Sequence, residues 1–135
     1  LIWNSNMYAS LETMKLLEGI VDLFLGDFRY GNDGCAEKYS NVGNYFSIVS
    51  RNFKLADKNS DIILRHLVLP GHVECCTKPI MAWVNENIPK VYFNLMFQYR
   101  PYYRASYYPE INRRLTPDER KEAIKLAKRF DISYE

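Results

Sequence analysis

Four short apolar runs punctuate the chain, at residues 1–3 (LIW), 20–27 (IVDLFLGD), 62–69 (IILRHLVL) and 91–97 (VYFNLMF). They are nearly continuous rather than alternating, a pattern that predicts parallel strands buried on both faces. Between them the apolar residues recur at helical spacing. Leu11, Met14, Leu17 and Ile20 form one stripe, with Gly19 as a stop. Val42, Tyr45, Phe46, Val49 and Phe53 form a second. Ile80, Met81, Val84 and Ile88 form a third, with Pro79 suited to a first turn and Pro89 ending the helix. Thr116-Pro117-Asp118-Glu119 reads as a capping box, followed by a buried stripe of Ala123, Ile124, Ala127 and Phe130. The order is β-α-β-α-β-α-β, then an irregular Tyr-rich stretch and a closing helix. This predicts an α/β fold of parallel strands with right-handed crossover helices: half of an eight-stranded TIM-type barrel, or a small open sheet.

Composition narrows the classes. A chain of 135 residues is one domain's worth or a piece of a larger one, and 47% hydrophobic residues suffice for a core. Asp22 and Asp27 interrupt the longest apolar stretch, so neither a membrane span nor a secretory signal is expected. A net charge of +2 is too small to argue for nucleic acid. Three cysteines, two of them adjacent, define no disulfide framework, which points to a reducing cytoplasm. The apolar, Met-less start Leu-Ile-Trp leads to the expectation of a cleaved or truncated chain.

The stretch LRHLVLPGHVECCTKPIMAW holds His66, His72, Cys75 and Cys76. In the predicted map His66 lies in a strand, His72 in the turn after it, and the two cysteines side by side at a helix start. Neighbouring helix positions diverge, and no second pair of thiols completes a tetrahedral set, so no metal site is expected there. The thiols are read as small apolar residues packing on the sheet. Ligand chemistry is expected instead just beyond the strands' C-terminal ends: Asn4, Ser5 and Asn6; Asp27, Phe28 and Arg29; Pro70, Gly71 and His72; Gln98, Tyr99 and Arg100. Strand alternation would point Asp27 and Arg29 to one side. Acid, base, amide and hydroxyl at one rim suit a zwitterionic ligand.

Taken in order, these strand ends resemble the C-terminal half of radical S-adenosylmethionine (SAM) enzymes, in the branch of pyruvate formate-lyase activating enzyme. WNSN (3–6) stands where that family has a DTNG-like turn, with Met7 in place of the turn glycine. VDLFLGDFRY (21–30) is similar to its VDLxxxDxK strand, LRHLVLPGH (64–72) to its IRxxxxPG strand and turn, and LMFQYRP (95–101) to LLPYH. The resemblance implies that residues 1–101 are half of a radical SAM barrel, with 102–135 a Tyr/Arg-rich segment and closing helix. It further implies cofactor-binding roles for six residues. Asn4 and Ser5 would stand near the SAM methionine group, Asp27 near its amino or ribose end, and Arg29 in place of a contacting Lys. Arg65 would lie on the next strand close to the cofactor, and Tyr99 where an activating enzyme has a His. The implied chemistry is reductive SAM cleavage at a [4Fe–4S] cluster and hydrogen-atom abstraction from a protein, such as a glycyl-radical enzyme, or from a small substrate. The CxxxCxxC loop that holds such a cluster is missing from the sequence, since Cys35, Cys75 and Cys76 lack its spacing. The chain is therefore expected to be a C-terminal fragment, inactive alone.

Two other readings stand beside this one. RPYYRASYYPEINRR (100–114) interleaves Arg100, Arg104, Arg113 and Arg114 with Tyr102, Tyr103, Tyr107 and Tyr108. That combination suits a binding module for single-stranded nucleic acid or a partner protein, although tyrosines packing across the end of the sheet account for it more simply. His66 or His72 with Asp27 would suit acid–base catalysis without a radical. No phosphate loop or nucleophile elbow occurs. Half a barrel leaves sheet edges open, which invites homo-oligomerisation.

Overall fold

Strands β1 (Ile2–Ser5), β2 (Leu23–Asp27), β3 (Asp61–Leu67) and β4 (Tyr92–Met96) pair in parallel in the order β1-β2-β3-β4. The computed structural model describes residues 1–135, the side chain of Tyr103 excepted. Helices α1 (Leu11–Leu17), α2 (Asp33–Ser40), α3 (Tyr45–Asn59) and α4 (Lys78–Asn87) fill the crossovers, and α5 (Pro117–Arg129) closes the chain. A π-helical turn, Val73–Thr77, leads into α4, and two 3-10 turns, Tyr103–Tyr107 and Pro109–Ile111, lie between β4 and α5. The α/β class and the four parallel strands are as expected. Among the described residues no helix is long and apolar enough to cross a membrane.

When strands are laid side by side in chain order and every crossover has the same hand, all helices fall on one face. Burial follows that rule. Phe24, Ile62, Leu64, His66, Phe93 and Leu95 are buried beneath the helices, while Leu25, Asp27, Ile63, Arg65, Asn94 and Met96 alternate with them and stay half-exposed. The expectation of strands buried on both faces is therefore corrected: the second face is apolar in sequence but uncovered in this chain. At the edges, Tyr134 bridges to Phe93 beside β4, whereas among the described residues β1 has no strand on its far side.

The helix side is tightly filled. Phe28 stacks on Phe53 of α3 with ring centroids 5.3 Å apart. A Cβ on Gly26 would stand 2.7 Å from the Phe53 ring and 2.8 Å from Met7 Cγ, so glycine is what lets α3 close on β2. Met7 itself has φ +62°, the left-handed conformation that glycine favours, and its side chain is buried. The turn after β1 thus keeps a glycine-like backbone with a methionine in it. Buried Asn52 donates to the carbonyls of Met7 (2.7 Å) and Ala9 (2.9 Å), holding this turn against α3.

Two element assignments change. Ile20, expected on the first helix stripe, is exposed, because α1 ends at Leu17 and Gly19 follows at φ +78°. Helix α2 was not expected. Its only buried residue is Ala36, so it shows no apolar stripe, yet Asn32 caps it by accepting from Cys35 N–H at 2.8 Å and Asn41 stops it at φ +54°.

Candidate functional site

The six expected cofactor-binding residues fall into two groups. On the uncovered face, Arg65 of β3 lies directly opposite Asp27 of β2 in the ladder. Its Nε donates to Asp27 Oδ1 at 2.7 Å, and its Nη2 reaches Asn4 Oδ1 of β1 at 2.6 Å. One guanidinium therefore spans three strands, with both members of the ion pair about a quarter exposed. A guanidinium carries five N–H donors, so those not engaged here remain to meet a carboxylate or phosphate. Ser5 is spent locally: its hydroxyl accepts from Met7 N–H at 2.9 Å and shapes the turn. Asn6 does the same for Tyr8 N–H at 3.0 Å.

Arg29 and Tyr99 belong elsewhere. They line a cleft of about 490 Å³ at the C-terminal ends of the strands, with Leu67 and Leu69 from β3 and its exit, and Gln98 and Arg100 from the exit of β4. Arg104 and Ile111 of the two 3-10 turns, with the flanking Tyr102 and Tyr108, add to its lining. Because β2 ends at Asp27, strand alternation does not carry on to Arg29, and only Arg29 of that pair reaches the cleft. The Tyr99 hydroxyl donates to the Ile111 carbonyl at 2.9 Å, and burial pushes its pKa up. In the Tyr-rich segment, Tyr108 packs edge-on against Tyr39 with centroids 5.1 Å apart, while Tyr102 and Tyr107 are exposed. The side chain of Tyr103 lies outside the described residues.

The histidines part company. His66 is wholly buried, with Nδ1 2.7 Å from the Phe28 carbonyl and Nε2 2.8 Å from the Thr77 hydroxyl. Both nitrogens are satisfied, and burial pushes its pKa down to about 4, so it faces no substrate. His72 is a different case. Its ring lies 3.0 Å from the Tyr39 hydroxyl through Nε2, and that hydroxyl also donates to Glu110 Oε1 at 2.8 Å. Lys38 stands 2.6 Å from the same oxygen and is the main reason that Glu110 is held down to about 2.

A third cluster escaped sequence reasoning. One ring nitrogen of His72 and the sulfurs of Cys35 and Cys75 lie within 4.8 Å of one another. No sequence reading joined these three residues: the third partner comes from α2, which has no apolar signature and stands far away in sequence. The signal that could have found it is polar, the N-cap Asn32 three positions before Cys35. Burial, then the neighbouring Cys35, pushes the Cys75 thiol up.

No protein-family profile matches the chain. It is 48% identical to an uncharacterized protein of Methanocaldococcus jannaschii over 131 residues, 97% of this chain but 38% of the relative's length. Among solved structures it is similar to a domain of pyruvate-formate lyase-activating enzyme from Bacteroides vulgatus. The TM-score is 0.72 with 14% identity, over 97% of this chain and 77% of that one. At that identity the two share a fold: four parallel strands with helices between them.

Proposed function

We propose that the chain is part of a radical SAM-type barrel in the branch of pyruvate formate-lyase activating enzyme, and that residues 1–101 supply its share of the SAM site. The observation that carries this reading is the row Asn4–Arg65–Asp27, set among the half-exposed apolar residues Leu25, Ile63 and Met96 on the uncovered face. Further strands closing over that face would bury the apolar positions and turn the row inward. The Asp27 and Asn4 oxygens accept from an ammonium or ribose hydroxyl, the remaining Arg65 donors meet a carboxylate, and Arg29 and Tyr99 approach from the rim. These groups fit the methionine and ribose ends of SAM, whose chemistry in this family is reductive cleavage and hydrogen-atom abstraction from a protein or small substrate. The thiols do not fit the family's [4Fe–4S] loop, because Cys75 and Cys76 are adjacent and Cys35 is on a separate helix. This chain's own part is to bind and orient. Residues 102–135 then close the rim.

The test is a titration of the isotope-labelled chain with SAM to millimolar concentration, followed by amide shifts. Responses at Asn4, Asp27 and Arg65 that vanish in Arg65→Ala are expected; unmoved resonances at all three sink the reading. The exposed rings of Tyr102 and Tyr107 keep a second reading alive, a binding surface for single-stranded nucleic acid or a partner protein. Salt-sensitive capture of a labelled oligonucleotide, lost in a Tyr102→Ala/Tyr107→Ala double variant, is its signature.

A further inference from the structure

The thiol–imidazole cluster is held by backbone, not by chance rotamers. A Cβ on Gly31 would stand 2.6 Å from the Cys76 carbonyl oxygen and 2.7 Å from that of Cys75, so the segment entering α2 lies directly on the π-helical turn. Asn32 locks the two together: its amide donates to the Cys75 carbonyl at 2.9 Å, while its oxygen caps Cys35 N–H. π-Helical turns of this kind are frequent at functional sites.

The His72 ring is fixed by hydrogen bonds at both nitrogens. Nδ1 lies 2.7 Å from the Pro70 carbonyl, which only accepts, so Nδ1 carries a proton and is oriented by the backbone as metal-bound histidines commonly are. Nε2 faces Tyr39, whose single proton is also claimed by Glu110. Lys38 also stands 2.6 Å from that Glu110 oxygen, so the carboxylate does not depend on the Tyr39 proton alone.

We propose that Cys35, Cys75 and Nε2 of His72 bind a divalent transition-metal ion of the zinc type. Two thiolates and an imidazole select such an ion over magnesium or calcium. Zinc at about 2.3 Å from sulfur and 2.0–2.1 Å from nitrogen draws tetrahedral donors to roughly 3.5–3.8 Å apart. The present limit of 4.8 Å asks for a contraction that the exposed Cys75 side chain can make. Binding releases the two thiol protons to solvent as the metal–sulfur bonds form, with no change of oxidation state. The fourth position is left to water on the Cys75 side. None of the three ligands lines the 490 Å³ cleft, so the site stands whether or not the SAM reading does.

Cobalt(II) is the probe, titrated into the reduced, iron-free chain. The expected result is one ion per chain, with thiolate-to-cobalt charge transfer in the near ultraviolet and tetrahedral bands in the visible, all abolished by zinc. Cys35→Ser and Cys75→Ser each weaken binding by at least about tenfold and reduce the charge-transfer intensity, while Cys76→Ser changes neither. Absence of the bands overturns the proposal. So does binding that survives Cys35→Ser but fails in Cys76→Ser, which would assign the ion to the adjacent thiols alone. X-ray absorption on the zinc-loaded wild-type chain needs no variant: two sulfurs and an imidazole in the shell are expected, and a shell of oxygen and nitrogen only overturns the assignment.

Discussion

His66 shows how burial alone turns a titratable ring into a structural part. The Phe28 carbonyl requires a proton on Nδ1, and the Thr77 hydroxyl can then donate to Nε2, so the neutral ring is fully satisfied. Burial lowers its pKa from 6.5 to about 4. Between those values the unfolded chain binds the extra proton and the folded chain does not. Stability therefore falls as the pH drops from 6.5 towards about 4, by about 3 kcal/mol for this residue, and is unaffected by it above that window. We predict that urea midpoints of the wild type decline more steeply across this range than those of His66→Gln. Parallel curves would mean that the folded ring accepts the proton after all. Sequence alone suggested His66 as a candidate acid–base group; the two partners that disarm it come from β2's exit and the π-helical turn, which no local pattern joins.

Helix α5 was legible because its start is written in consecutive residues. Thr116 Oγ1 accepts from Glu119 N–H at 3.1 Å, and Glu119 Oε1 accepts from Thr116 N–H at 2.9 Å. Glu119 also takes Arg113 at 2.7 Å and the N–H of Gly71, so the same cap ties α5 to the turn after β3. Thr116→Ala should cost about 1 kcal/mol of unfolding free energy. Glu119→Ala should cost more in the same denaturation assay, since it also removes the bonds to Gly71 N–H and Arg113; an equal cost would show those ties to be idle. The strands and the stripes of α3 and α4 were legible for a similar reason, a period that repeats within one element. Helix α2 was not, because Asp33–Ser40 is polar around nearly its whole circumference and is held by caps and by contact of its leading segment with residues 75–76. What sequence missed at the candidate sites follows from this: Cys35 reaches His72 and Cys75 only through α2.

Across the whole molecule, the sheet is protected unevenly. β2 and β3 have neighbours on both sides; β1 has one. Beside β4, the chain's last residues donate from Glu135 N–H to the Phe93 carbonyl at 3.2 Å and accept from Leu95 N–H at 3.2 Å. Hydrogen exchange should accordingly be slowest in β2 and β3 and at least about tenfold faster in β1, with β4 between them. Protection of β1 equal to that of β2 would reveal a strand, or a second copy, covering that edge. The chain order of the strands has one more consequence. Ile2 pairs opposite Leu23, Leu23 opposite Asp61, and Ile63 opposite Tyr92, so each strand after β1 docks on one already made. A ribosome releasing this chain would expose each unit to a finished template, and folding could keep pace with synthesis.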